Sequence, residues 1–333
     1  MPNVIRFLVK SMMLKGIALL FMISVQPVLA LDIFFVHSYH HQYPWVNEYF
    51  TGFKQNLNSH SLIDFQMDTK RLPESAFQQK AQQALDAIRQ HQPRVVVVAD
   101  DIALKLVGRL AANLGYPVVF LGVNHNPREY LDVTDRVSGV LERPLFKRSV
   151  LALRNIMPKL KRIKVLLEEG ITSEAIISAS FGGYIRQSVD DIQVDVSKVR
   201  DFNHWKSLVH AAPIQGYDLI ILGNYARLPD NNGGTVPTDT TTKWTVLNSK
   251  IPVFAFWKFS VGAGKAVGGL VLAGEFQGKT AASIVNHYLK AGEFSAPMIR
   301  IPTQGLYYFS HSEFLRWGFD LPEALEGQVY WVD

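Results

Sequence analysis

Six apolar runs in this sequence stop abruptly at residues suited to gripping a small molecule. His37-Ser38-Tyr39-His40-His41 follows the first run, Asp100-Asp101 follows the valines at 95–98, and Asn124 follows Phe120-Leu121-Gly122-Val123. Farther along, Glu168-Glu169-Gly170 with Thr172-Ser173, then Gly223-Asn224-Tyr225, then Trp257-Lys258 take the same position. Carboxylates suit an ammonium group, while hydroxyls and helix N-terminal amides suit a carboxylate. Tyr39, Trp45, Tyr225 and Trp257 supply rings to cover an apolar part. The candidate ligand-binding set is therefore Ser38, Tyr39, Trp45, Asp100, Asp101, Asn124, Glu168, Ser173, Asn224, Tyr225 and Trp257. Each has a plainer alternative. Asp100 or Asp101 can cap the helix that starts near Ile102. Ser38 and Asn124 can be turn residues, Trp45 can be core, and Glu168 can be a solvated loop charge.

Catalytic and cofactor signatures are missing. His37, His40 and His41 invite a zinc reading, but adjacent His40 and His41 do not aim at one ion as an i, i+4 helical pair does, and there is no HExxH. Gly262-Ala263-Gly264-Lys265-Ala266-Val267-Gly268 imitates a dinucleotide loop with one residue too many, and it precedes a strand instead of opening a helix. No GxxxxGK[ST] phosphate loop or GxSxG elbow occurs. The expectation is a non-enzyme with no catalytic residue, no metal and no cofactor.

The elements that must position these residues alternate between short β-branched runs and helical patterns, the mark of βαβ units and parallel sheets. Strands are expected near 31–37, 62–67, 94–99 and 117–122, with helices at 44–57, 73–91 and 102–114 between them. A second series places helices at 145–157, 173–189 and 203–212 among strands at 162–167, 191–196 and 217–222. After a polar linker at 229–239 come a short helix, strands at 252–256 and 269–272, an amphipathic helix at 277–291 and a strand at 298–301. That trailing βα piece is too small to fold alone and is expected to pack back on the first lobe.

Length and composition agree with two lobes. Residues 1–30 have a basic start at Arg6, Lys10 and Lys15, an apolar run from Gly16 to Val25, and Val28-Leu29-Ala30. That is the layout of a secretory signal peptide cleaved after Ala30. The apolar run is shorter than the ~20 residues of a membrane-spanning helix. Of the 34 Lys and Arg, 31 lie beyond it against 29 Asp and Glu, with no basic run longer than two, so a nucleic-acid partner is not expected. There is no cysteine, which excludes disulfides and thiolate chemistry. The expected product is a periplasmic monomer with lobe 1 at 31–140, completed by about 275–333, and lobe 2 at 141–274.

His37-Ser38-Tyr39, with Pro44-Trp45 and Gly52-Phe53, is similar to the opening of the type I periplasmic binding proteins, in particular the ABC-transporter substrate-binding family with tryptophan/tyrosine-uptake-like members. It is similar also to the sensor domains of some histidine kinases. Val137-Ser138-Gly139-Val140 resembles that family's first crossover between lobes. Ile251-Pro252-Val253-Phe254, Gly262, Gly268-Gly269 and Gly278-Lys279-Thr280-Ala281-Ala282 resemble its late segment. The resemblance implies an α/β protein of two doubly wound parallel-sheet lobes joined by a three-strand hinge, closing on a small-molecule ligand. It also implies delivery to the membrane permease of an ABC transporter. The family's usual small hydroxyl residues after the first-lobe strands are replaced here by His37-Ser38-Tyr39-His40 and Asp100-Asp101, so the ligand class does not carry over. A second reading is a ligand sensor that presents its bound molecule to a membrane sensor kinase.

Overall fold

The valine run sets the centre of the first sheet, because a strand that is apolar at every position is stable only when covered on both faces. The computed structural model describes residues 31–333 apart from Asn231, Pro302 and Thr303; the expected leader lies outside the described residues. In chain order the first series is β1 (Ile33–His37), α1 (Pro44–Asn56), β2 (Leu62–Gln66), α2 (Phe77–His91), β3 (Val95–Ala99), α3 (100–113), β4 (Val118–Val123) and β5 (Val137–Leu141). Every residue of β1, β3, β4 and β5 is buried. The middle turn of α3, Leu104–Gly108, is wound as a π-helix.

The second series is α4 (Phe146–Ile156), β6 (Arg162–Glu168), α5 (Ile171–Phe181), β7 (Arg186–Val189), β8 (Ile192–Val199), α6 (Phe202–Ile214), β9 (Leu219–Leu222), α7 (Thr238–Asn248) and β10 (Val253–Ala255). The chain closes with β11 (Gly268–Val271), α8 (Gly274–Ala291), β12 (Ile299–Arg300), β13 (Leu306–Phe309), α9 (His311–Arg316) and β14 (Val329–Trp331). One sheet has the order β12-β5-β4-β3-β1-β2 and the other β10-β9-β6-β8-β7. All neighbours pair in parallel except β7 with β8.

That antiparallel edge corrects the expected helix at 173–189. Gly182 and Gly183 take φ of 62° and 81°, a left-handed backbone that ends α5 at Phe181. The residues beyond turn back as a hairpin onto β8. The C-terminal piece divides. Helix α8 packs on α1 and beside β4 and β5, and β12 extends the first sheet at β5. The remainder pairs elsewhere: β13 and β14 join β11 in a small third sheet, with Phe309, Phe314 and Trp331 packed ring to ring. Backbone fit explains this, since a side chain at Gly268 would meet Tyr308 O at 2.2 Å. The chain thus passes between the two halves after β5, between β11 and α8, and from β12 to β13.

Helices α1 and α8 meet at glycines. A Cβ on Gly278 would lie 1.9 Å from Tyr49 O, and one on Gly52 would lie 2.4 Å from Glu275 O. The apolar core against this pair runs without a break from Phe35, Trp45 and Phe53 to Phe146, Phe181 and Phe256 in the second half. Among the described residues no helix is long and apolar enough to cross a membrane. Because Tyr49 O is backbone, Gly278→Ala must push two helices apart, and we expect a loss of about 2 kcal/mol or more, in the range of overpacked cores. Urea unfolding of the variant should show a clearly lower midpoint; an unchanged midpoint would mean that the contact is not tight.

Candidate ligand-binding cleft

In an open parallel sheet the crevice forms where strand order reverses, outside the carboxyl ends. The first sheet reverses between β1 and β3, the second between β6 and β9. One cavity of about 30 Å³ is lined from both: Tyr39 and Tyr43 after β1, Asp100 after β3, Asn124 after β4, Glu142 after β5, Thr172 after β6, Gly223 and Asn224 after β9, and Trp257 and Phe259 after β10. Lys70 and Trp45 complete it from the first half.

The first-half floor is held from behind. Ser38 Oγ donates to Ala99 O at 2.7 Å and accepts from Ala103 N at 2.8 Å, so it fixes the turn between β3 and α3. Asp100 sits in that turn with φ of 70°, a conformation that L-residues adopt at a cost and Asp tolerates better than most. Its Oδ1 accepts from Trp45 Nε1 at 3.2 Å, while Oδ2 is buried with no hydrogen-bond partner. Gly122 keeps the space open, since a Cβ there would press on Asp100 Oδ1 at 3.2 Å. Asn124 Nδ2 donates to Glu142 Oε2 at 3.1 Å, and its buried Oδ1 has no partner. Glu142 Oε1 accepts from Trp257 Nε1 of the second half at 2.7 Å. Burial, then the neighbouring Glu142 and Asp101, push the Asp100 carboxyl well above the usual range. Burial pushes Glu142 up to about 8.

Lys70 is the buried cation of this wall. Its Nζ stands 3.8 Å from Glu168 Oε1, 4.6 Å from the Tyr39 ring centre and 5.5 Å from that of Tyr43. Burial lowers its pKa, and Glu168 works against that. Lys70–Glu168 joins the two halves, as does Arg227 with Glu74 at 3.4 Å. Beside the cavity a wider crevice of about 490 Å³ continues between Phe77, Ile102 and Leu106 on one side and Glu168, Ile171 and Arg227 on the other.

Of the residues singled out in the sequence, Tyr39, Trp45, Asp100, Asn124, Asn224 and Trp257 line the cavity. The others do not. Ser38 is spent on the turn, and Asp101 accepts from Asn124 N at 3.0 Å and His125 N at 2.9 Å, tying down the loop after β4. Neither aspartate caps α3 with a side-chain bond. Glu168 is turned to Asn224, Arg227 N and Lys70, at the edge of the wider crevice. Ser173 Oγ lies 3.4 Å from Asn224 Nδ2 and supports that side chain. Tyr225 is a correction: its ring packs on Trp205 and its hydroxyl bonds Thr242 at 2.7 Å and Ser260 at 2.5 Å, inside the second half. Tyr43, Lys70, Glu142 and Thr172 were missed. Glu142 carried a signal as the residue after the Val137–Leu141 strand, and Thr172 as the neighbour of Ser173 at a strand end.

No protein-family model matches the chain, and no curated protein does. Solved structures do. An ABC domain from Streptococcus pneumonia in complex with L-Trp aligns with a TM-score of 0.65 at 14% identity, over 90% of this chain and 99% of that one. A ligand-free, open substrate-binding protein with adhesive properties from Clostridium difficile aligns at 0.64 and 14%, over 91% and 99%. This chain has the type I periplasmic binding protein fold. Other users of the fold include a transcription regulator-like protein from Staphylococcus haemolyticus, at 0.56 and 12% over 82% and 95%. The fold therefore leaves function to the site.

Glu142 makes stability pH-dependent. Its folded pKa of about 8 lies above the ordinary 4.5, so the folded chain retains a proton that the unfolded chain releases. Its contribution is full below about 4.5 and is lost as pH rises through about 8. The melting temperature of the wild type should fall between pH 5 and 8 more steeply than that of Glu142→Gln; equal slopes would rule out this residue as the cause.

Proposed function

We propose that this chain is a periplasmic solute-binding protein that captures an amino-acid-like molecule between its lobes for ABC-type uptake, without altering it. The observation that carries the reading is a pair of buried, unpartnered oxygens, Asp100 Oδ2 and Asn124 Oδ1, lining one cavity. A buried acceptor without a donor costs about 1–3 kcal/mol, and a ligand ammonium group satisfies both. An ammonium also holds Asp100 ionised against the burial that favours its neutral form. Lys70 and Thr172 face the same cavity and suit a carboxylate, while Trp45, Tyr43, Trp257 and Phe259 suit an apolar side chain. The L-Trp bound by the similar Streptococcus domain is in keeping with that chemistry.

The lobes in this reading are 31–140 with about 275–300, and 141–274 with about 306–333, preceded by a leader at 1–30. The protein acts as a monomer, with a membrane permease as its partner. A cavity of about 30 Å³ matches the liquid volume of about one water molecule, so an amino acid enters only when the lobes part. The links between the lobes that must loosen are Lys70–Glu168 and Arg227–Glu74. Arg143 steadies one hinge crossing, its Nη1 donating to Val123 O, Asn124 O and Glu142 O at 3.1, 2.7 and 2.6 Å. The sensor-kinase alternative drew on the His-Ser-Tyr and Pro-Trp residues. Here Ser38 fixes a turn and Trp45 bonds Asp100, which are folding and binding roles, so no observation favours signalling.

The test is calorimetric titration of chain 31–333 with the standard amino acids and their decarboxylated amines. At least one α-amino compound should bind, and Asp100→Asn should weaken it tenfold or more, about 1.4 kcal/mol. Binding by sugars alone, or equal affinity in Asp100→Asn, would remove the amine assignment.

A further inference from the structure

Beside the cleft, where the carboxyl end of β1 meets the middle of β2, three metal-type donors converge. A ring nitrogen of His37, a ring nitrogen of His41 and an Asp64 carboxylate oxygen all lie within 4.8 Å of one another. His37 is fully buried on the face of β1 under α1. Phe35 stacks on it at 4.4 Å and Phe50 meets it edge-on at 4.7 Å. Its Nδ1 is bonded to Tyr49 Oη at 2.9 Å, so Nε2 is the nitrogen directed at the cluster, and it has no hydrogen-bond partner. His41 stacks on Phe50 at 5.5 Å, and its backbone N donates to Gln66 Oε1 at 2.9 Å, which fixes the loop. Its Nδ1 is 3.4 Å from Gln66 Nε2, and its Nε2 is likewise without a hydrogen bond. Asp64 Oδ2 lies 2.8 Å from His41 Nε2 and 3.7 Å from His37 Nε2.

We propose that His37, His41 and Asp64 form a binding site for a divalent first-row transition ion of the zinc class. Two imidazoles and a carboxylate are a donor set that zinc accepts, and at its bond lengths of about 2.0–2.1 Å tetrahedral donors stand roughly 3.3 Å apart. Asp64 Oδ2 stands 2.8 and 3.7 Å from the two rings, on either side of that value, and no donor pair exceeds 4.8 Å, so shifts of up to about 1.5 Å close the site. Tyr49 and Gln66 act on the far ring nitrogens, the outer-shell arrangement that fixes the tautomer of a metal-bound histidine. His41 and Asp64 are partly exposed, which leaves water access to the remaining positions. Lys54, over the Phe50 ring at 4.4 Å, is the cation nearest on α1.

The third donor explains why the histidines alone gave no metal expectation. His40 turns away, its Nδ1 3.1 Å from Gln42 Oε1, and the place it would need is taken by Asp64 of the neighbouring strand. An ion held there ties β1, the loop after it and β2 together. Tyr39 and Tyr43 reach the cleft from that loop, so the ion stiffens one wall of the cleft without touching its contents. The site does not depend on what the cleft binds.

The experiment is zinc chloride titration by calorimetry of tag-free chain 31–333 after chelator treatment and dialysis, with Co²⁺ absorption as a second readout. One equivalent of zinc should bind with a dissociation constant below about 10 μM, and Co²⁺ should develop visible d–d bands. His41→Ala and Asp64→Asn should each weaken zinc at least tenfold while leaving the metal-free melting temperature near that of wild type. His125→Ala, which removes a surface histidine 2.6 Å from Glu129, should bind as wild type does. Binding no tighter than millimolar, or equal affinity in His41→Ala and Asp64→Asn, would overturn the site.

Discussion

Three carboxyl groups, Asp100, Glu142 and Glu168, are taken out of water around one small cleft, and each must find a donor or keep a proton. Much of the surrounding architecture answers that demand. Trp45 and Trp257 aim their indole N–H groups at Asp100 and Glu142, Asn124 and Asn224 turn their amides to Glu142 and Glu168, and Lys70 stands against Glu168. One of these links, Lys70–Glu168, crosses between the halves, and Trp257–Glu142 ties the second half to the chain just after β5. Satisfying the acids therefore also holds the lobes together. One acceptor of Asp100 and one of Asn124 are left over, without a hydrogen-bond partner.

The helices behind the cleft convert that local demand into a rigid platform. Gly52 and Gly278 bring α1 and α8 into backbone contact. From α8, Gln277 receives a bond from Gly122 N at 3.3 Å and donates to Leu141 O at 3.2 Å, so it clasps the ends of β4 and β5 beside Asp100 and Glu142. The glycines that carried the family resemblance are thus packing residues. They say how the lobes are built, and nothing of what is bound. Low identity to the solved structures over nearly their whole length fits that division: a fold is retained by packing constraints while a site is rebuilt on it.

The short loop after β1 serves two places at once. Its backbone follows a strand end, so Tyr39 and Tyr43 reach forward into the cleft while His37 and His41 face back toward β2 and α1. Ser38, between them, is fully used in bonds to Ala99 and Ala103.

The sequence by itself determined the architecture and the ring of strand ends. Apolar runs with no polar break, such as Val95–Val98, admit only a strand covered on both faces. Parallel order then puts every carboxyl end on one side, so Tyr39, Asp100, Asn124, Asn224 and Trp257 were legible as one constellation. It did not determine direction within that ring. Asp100 and Asp101 are neighbours with the same chemistry, yet a positive φ sends one into the cleft and backbone amides claim the other. Tyr225 directly follows Asn224, but a Trp205 face and two hydroxyls draw it into the core. Lys70, Glu142 and Asp64 come from segments whose partners are remote in sequence, and a one-dimensional pattern carries no distance. Only tertiary packing decides such pairings, because it fixes which polar atoms find donors and which are left facing a ligand.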